Sequence, residues 1–230
     1  MKIPVWAIVE YLSCPKKAYF LCYKKVLPSG ERKSKYRLKG IEMHERLVRE
    51  FLSKSWDRQL YFYHLGCKYG IEREFKGFTI VGKPDALDVI YEKDPTGKII
   101  GKKISLIEFK TTGQERPALW QREHAIFQVQ IYRWLAGPSL DSLGLKFHDR
   151  DSILWYQQEP EEFMFEEDAI PLDDIEEILS FIIDTWLGLK PMKYPPVPLA
   201  RKICRCCSKE VRDQCDYFQN EVRSRESWRT

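Results

Sequence analysis

No apolar run in this chain of 230 residues approaches the length that crosses a bilayer. No membrane-spanning helix is therefore expected. No secretory leader is expected either, because Met1-Lys2-Ile3-Pro4-Val5-Trp6 meets Glu10 before an apolar segment can develop. Both absences point to the cytoplasm. A strongly one-sided charge is also absent. The net charge of +4 permits nucleic-acid binding without announcing it. There is no internal repeat and no low-complexity tract. The cysteines lack an even count: there are seven, and Cys204, Cys206, Cys207 and Cys215 crowd together. An odd number in a reducing compartment argues against a disulfide framework and for metal binding.

What is present supports a globular fold. A hydrophobic fraction of 43% is enough for a core, and 31% charged residues solvate its surface. The length allows one elaborated domain or two small ones, and the chain reads as a single domain over 1–230. Helical spacing predicts a short helix over 4–25, interrupted at Ser13-Cys14-Pro15, and another over 36–54 after a basic loop at 28–35. Strands are expected at 71–75, 78–81, 86–91, 103–109 and 152–157. The segment Lys93-Asp94-Pro95-Thr96-Gly97-Lys98 turns one hairpin. A long helix over 115–136 should stop at Gly137-Pro138, and an amphipathic helix is expected over 172–187. Prolines 191, 195, 196 and 198 make a stiff connector. A polar tail from Asn220 is expected to fray.

The chemistry concentrates in Gly82-Lys83-Pro84-Asp85 and Glu108-Phe109-Lys110. Side chains alternate along a strand, so Glu108 and Lys110 share a face. Two carboxylates and an ammonium make a poor core and a good divalent-metal site, with hard oxygens that suit Mg²⁺ or Mn²⁺. Gly40 and His44 share a helical face upstream, and Gln128 and Tyr132 do so downstream. Each element alone is more often a turn, a solvated strand face or a helix surface. Their occurrence in this order is the informative part.

The order Gly40-x-x-x-His44, Gly82-x-x-Asp85, Glu108-x-Lys110, Gln128-x-x-x-Tyr132 resembles the RecB-type branch of the PD-(D/E)xK nucleases. Cys14, with Cys204, Cys207 and Cys215 near the other end, narrows the likeness to the iron–sulfur nucleases of CRISPR adaptation, the fourth Cas family. The resemblance runs from about residue 8 to 218. It implies an α/β, restriction-endonuclease-like core with a mixed central sheet flanked by helices, over about 36–188. It also implies an iron–sulfur lobe built from about 1–30 plus 190–218, with 219–230 as a polar tail. The implied activity is trimming of single-stranded DNA, 5′ to 3′ with an endonucleolytic component, on prespacer DNA and alongside the integrase proteins. His44, Asp85, Glu108 and the Phe109 backbone carbonyl would hold the metal. Lys110 would activate water, with Asp85 and Glu108 also catalytic, and Gln128 and Tyr132 would position DNA.

Cys14, Cys204, Cys207 and Cys215 suit a [4Fe–4S] cluster, since four cysteines are its usual ligands. Zinc would use the same four. Cys206 beside Cys207, and the wide gap to Cys215, leave the ligand choice and a [2Fe–2S] cluster open. Linking Cys14 to the late cysteines closes a loop of about 190 residues, so the group is expected to act as a staple. Cys22 and Cys67 read as buried small hydrophobes, and His64, His124 and His148 as surface or satisfied histidines. Arg32, Lys33, Lys35, Arg37 and Lys39 read as a phosphate-tracking groove running into His44, with Lys102 and Lys103 before the Glu108 strand. Two rivals stand beside this reading: a RecB-like repair or viral nuclease outside CRISPR, and a non-catalytic DNA-binding subunit with a zinc staple. Oligomeric state is not legible.

Overall fold

A computed structural model describes residues 1–24, 42, 45, 46, 49, 70–112, 119–137, 142–149, 161–164, 171–195, 203, 204 and 207–223. The expected helix over 36–54, the basic groove at 32–39, His44, His64, Cys67, Cys206 and the expected strand at 152–157 lie outside the described residues or on their margins.

The chain starts with β1 (Lys2–Pro4), α1 (Val5–Val9), a 3₁₀ turn (Glu10–Leu12) and α2 (Pro15–Cys22). The predicted break falls at Ser13 and Cys14. Pro15 opens α2 at its first position, where a missing N–H costs nothing. Strands β2 (Ile71–Phe75) and β3 (Phe78–Gly82) form a hairpin, and β1 adds to β3 in a three-stranded sheet of order β1-β3-β2. Then come β4 (Ala86–Lys93), β5 (Ile99–Thr112), α3 (Leu119–Ala136), β6 (Ser142–Asp149), β7 (Glu161–Met164) and α4 (Leu172–Trp186). The last elements are α5 (Lys209–Gln214) and a π-helical turn (Phe218–Arg223).

The strands from β4 to β7 form a four-stranded sheet of order β4-β5-β6-β7. The predicted hairpin joins β4 and β5 antiparallel, and Asp94 Oδ1 holds its turn by accepting from the N–H groups of Thr96 (2.9 Å) and Lys98 (3.0 Å). β6 pairs parallel to β5, and β7 antiparallel to β6. The helix between β5 and β6 is the crossover that a parallel pair requires. Sheet and helices together make a mixed α/β fold. Neither β6 nor β7 was expected from the sequence. The segment Ser-Leu-Gly-Leu-Lys-Phe-His-Asp follows the Gly137-Pro138 stop but contains no β-branched residue, and its pairing with distant β5 supplies what local propensity lacks.

The chain divides into two compact units: Met1–Arg32 with Glu74–Ile80 and Glu176–Thr230, and Lys33–Arg73 with Val81–Ile175. Both chain ends thus fall in the first unit. There Thr79 N–H donates to the Met1 carbonyl (3.0 Å), Lys76 pairs with Asp184 (2.6 Å), and Tyr11 meets Trp186 edge-on. The core of this unit includes Ile3, Ile8, Ala18, Leu179, Ile182 and Ile183. The expected frayed tail is corrected in part. Asn220–Arg223 continues a helical turn, because Val222 is fully buried against Cys204. In the second unit, α3 packs on β5, burying Ala125, Val129, Tyr132 and Leu135. Gly137 ends α3 with a positive φ of 66°, the left-handed turn that a helix C-terminus favours. No helix among the described residues is long and apolar enough to cross a membrane.

Candidate functional site

β5 is an interior strand, flanked by β4 and β6, so both of its edges are paired. Phe109 is buried on one face. Leu106, Glu108 and Lys110 share the other, which emerges from the core along the strand. Leu106 is 1% exposed, Glu108 3%, and the Lys110 side chain 30%. A glutamate this buried requires a partner. Lys110 Nζ stands 2.6 Å from Glu108 Oε1.

α3 completes the arrangement. Gln128 Oε1 accepts from Lys110 Nζ (2.8 Å), and Gln128 Nε2 donates to Glu108 Oε1 (2.9 Å) and to the Tyr132 hydroxyl (2.8 Å). Both ends of one amide are used, and this fixes its orientation. Tyr132 OH in turn donates to the Lys83 carbonyl (3.3 Å). Helical i, i+4 spacing and strand i, i+2 spacing thus meet in a single network, while the backbone of Lys83 ties it to the segment carrying Asp85.

Asp85 precedes β4, whose register sets Ala86 opposite Ile107. This antiparallel pairing brings Asp85 level with Glu108 at the edge of the ladder. The Phe109 N–H donates to Asp85 Oδ2 at 2.7 Å, which orients the carboxylate. Burial, then the charges of Glu108 and Asp85, push the Tyr132 phenol well above its ordinary pKa. Both carboxylates therefore act on one place, and Tyr132 stays neutral there as a hydrogen-bonding group.

Gly82 has a steric reason for its identity. A Cβ there would fall 2.6 Å from Tyr132 Cε1, 2.7 Å from Cδ1 and 2.8 Å from Leu135 Cδ1. Gly82→Ala is expected to lower stability by about 1–3 kcal/mol through overpacking and to displace Tyr132. A melting temperature equal to wild type would contradict this. The sequence pattern includes Gly82 but says nothing of this contact. The Lys83 carbonyl has no sequence signal at all, because any residue supplies one.

As a metal site, the donor set fits a hard divalent cation: one carboxylate just before β4 and one on the adjacent β5, with a lysine beside them. Among the described residues no three His, Cys, Asp or Glu gather about one point. The expected third ligand, His44, lies outside those residues. The structure brings together Asp85, Glu108, Lys110, Gln128 and Tyr132. Arg32, Lys33 and Lys35 also lie outside the described residues.

In the first unit, Cys14, Cys204, Cys207 and Cys215 line one cavity with Lys17, Ile203 and Val211. Cys14 immediately precedes α2, Cys215 ends α5, and Cys207 N–H donates to the Cys204 carbonyl (3.1 Å). Each of the four is 6–7% exposed, and none is in a disulfide. Burial pushes the Cys207 thiol up to about 12, opposed by Lys17 and reinforced by the other three thiols. The Phe218 N–H donates to Cys215 Sγ (3.5 Å). Four thiols around one cavity suit a thiolate-bound group in composition, although they do not close to single-ion separation. Cys22, by contrast, is buried away from this lining, and burial pushes its thiol up to about 12. His124 meets the Trp120 ring edge-on.

Comparison with known proteins adds the family. No curated protein matches the chain. A crystal structure described as that of SSO0001 superposes with a TM-score of 0.52 at 20% identity, covering 94% of this chain and 85% of that one. At that identity the likeness is one of fold. The family model of the PD-(D/E)XK nuclease superfamily matches residues 24–216. That span takes in most of the chain, including Asp85, Glu108 and Lys110, and the chain belongs to the PD-(D/E)XK nuclease superfamily.

Proposed function

We propose that this protein is a metal-dependent deoxyribonuclease that trims single-stranded DNA and prepares prespacer DNA for integration in CRISPR adaptation. The observation that carries the nuclease reading is the network in which Gln128 binds both Glu108 and Lys110 while Asp85 is held by the Phe109 N–H. Asp85 and Glu108, with His44 and the Phe109 carbonyl, would hold Mg²⁺ or Mn²⁺. The bound cation would neutralise charge on the scissile phosphate and supply a water of lowered pKa.

The residues of this chain have separable tasks. Lys110 offers a positioned ammonium to the attacking water or the charged phosphate. Gln128 keeps that ammonium beside Glu108, and Tyr132 ties Gln128 to the Lys83 backbone. The amide of Gln128 is engaged by Lys110, Glu108 and Tyr132, and the Tyr132 hydroxyl by Gln128 and the Lys83 carbonyl, so we assign both residues first to holding the catalytic pair. Contact with DNA would come second.

The CRISPR assignment rests on the cysteines. Cys14, Cys204, Cys207 and Cys215 would hold a [4Fe–4S] cluster. Such a cluster places its cysteines on separate irons, so its ligands stand wider apart than the four sulfurs at about 2.3 Å around one zinc ion. The partners would be single-stranded DNA and the integrase proteins.

The test is cleavage of single-stranded DNA labelled at either end, with Mn²⁺, Mg²⁺ or a chelator. Cleavage that requires the cation and releases short products from the 5′-labelled end is expected. No cleavage under any condition would leave a non-catalytic DNA-binding subunit. Iron and sulfide content decides the cluster: colourless protein with stoichiometric zinc would reject it. Cleavage by a protein whose gene has no integrase neighbour would favour a repair or viral nuclease.

A further inference from the structure

One row of side chains on α3 continues outward from the catalytic network. Trp120 is 59% exposed, at the start of a helix whose buried residues begin only at Ala125. Its indole is held by His124, with ring centroids 5.6 Å apart and planes at 81°. Trp120, His124 and Gln128 stand at i, i+4 and i+8. Such a row winds about 80° around the helix and runs about 12 Å along it. It passes from exposed Trp120, through half-buried His124, to half-buried Gln128, whose amide touches Lys110 and Glu108.

Leaving a Trp in water forgoes a large apolar stabilisation, and a T-shaped contact with His124 engages at most one face of the indole, leaving the other free of it. A strand with its scissile phosphate at Lys110 would meet this ring if it follows the row outward from Gln128. Twelve ångströms corresponds to about three or four stacked bases at 3.4 Å each, and fewer in an extended strand. Every base has a π-face, so one aromatic platform serves an enzyme that trims without regard to sequence.

We propose that Trp120, held edge-on by His124, is a base-stacking platform for single-stranded DNA within about four nucleotides of the cut. The proposal rests on the nuclease reading and adds a subsite to it. Trp120 touches a base and not the reacting atoms, so it acts on substrate binding.

The test measures KM and kcat on an oligothymidylate with Mn²⁺ for wild type, Trp120→Ala and Trp120→Phe. Trp120→Ala should raise KM by about 5- to 150-fold, with kcat within about threefold and an unchanged melting temperature. Trp120→Phe should recover most of the loss. In wild type, removing single bases near the cut should reproduce the loss at one position, and Trp120→Ala should be insensitive to that removal. A KM for Trp120→Ala within twofold of wild type would overturn the platform and leave the patch as a contact for protein. So would base-removal losses that add to the Trp120→Ala loss at every position. If wild-type protein neither binds nor cuts single-stranded DNA, the nuclease reading falls first and the platform with it.

Discussion

Glu108→Gln and Lys110→Ala should each lower DNA cleavage by about three orders of magnitude or more, because each removes a charge that acts on the phosphate or its cation. Their effects on stability should differ. Glu108→Gln keeps the shape and a hydrogen-bond acceptor for Lys110 and Gln128. Lys110, with its side chain 30% exposed, can turn to water. Near-wild-type melting is expected. Lys110→Ala leaves the Glu108 carboxylate buried without its cation, a situation that costs about 3–5 kcal/mol when a buried pair is broken. Melting should fall, and added Mn²⁺ should restore part of it by binding where Lys110 had been the counter-charge. Single-turnover cleavage and calorimetry with and without Mn²⁺ measure both effects. Cleavage at wild-type rate in either variant would remove Glu108 and Lys110 from the chemistry.

On the proposed cluster assignment, Cys14→Ala should yield colourless protein and lower the melting temperature by roughly 10–20 °C relative to wild type. The chain between Cys14 and Cys204 is about 190 residues, and a cross-link over such a loop is worth roughly 5 kcal/mol in chain entropy. A protein of this size shifts by about 2–4 °C per kcal/mol. Cys22→Ala supplies the control. Cys22 is equally buried but lies outside the cavity lined by the other four, so its loss should leave colour and iron content intact. Unchanged melting in colourless Cys14→Ala would show that the group is no staple. Retained iron in that variant would show that Cys14 is not a ligand.

Much of this architecture is written in local patterns. The break at Cys14-Pro15, the presence of strands β2 to β5, the Lys93–Lys98 turn, the C-terminal end of α3 and the start of α4 all follow from periodicity, proline and glycine, although β5 begins at Ile99, ahead of the expected 103. Those signals act over a few residues and survive without tertiary help. β6 and β7 were missed because their stability comes from pairing with strands far along the chain, for which short polar and apolar mixtures carry no mark. Asn220–Arg223 departs from the expected frayed tail because one buried Val222 outweighs its polar neighbours, and burial depends on what the chain meets.

The same division holds for the site. Period two along β5 placed Glu108 and Lys110 on one face, and period 3.6 along α3 placed Gln128 beside Tyr132; both are properties of the backbone that sequence alone determines. That these two faces meet is a tertiary fact. Only packing of α3 on β5 lets one amide bind both Glu108 and Lys110, lets Tyr132 occupy the space a Gly82 side chain would fill, and lets the Phe109 N–H hold Asp85. In the other unit, spacing grouped the late cysteines, and folding of the two chain ends into one unit set Cys14 among them. Residue type and period decide which face a group occupies. Which faces are pressed together is decided by long-range burial, and that is what gathers the carboxylates and the lysine into one candidate site.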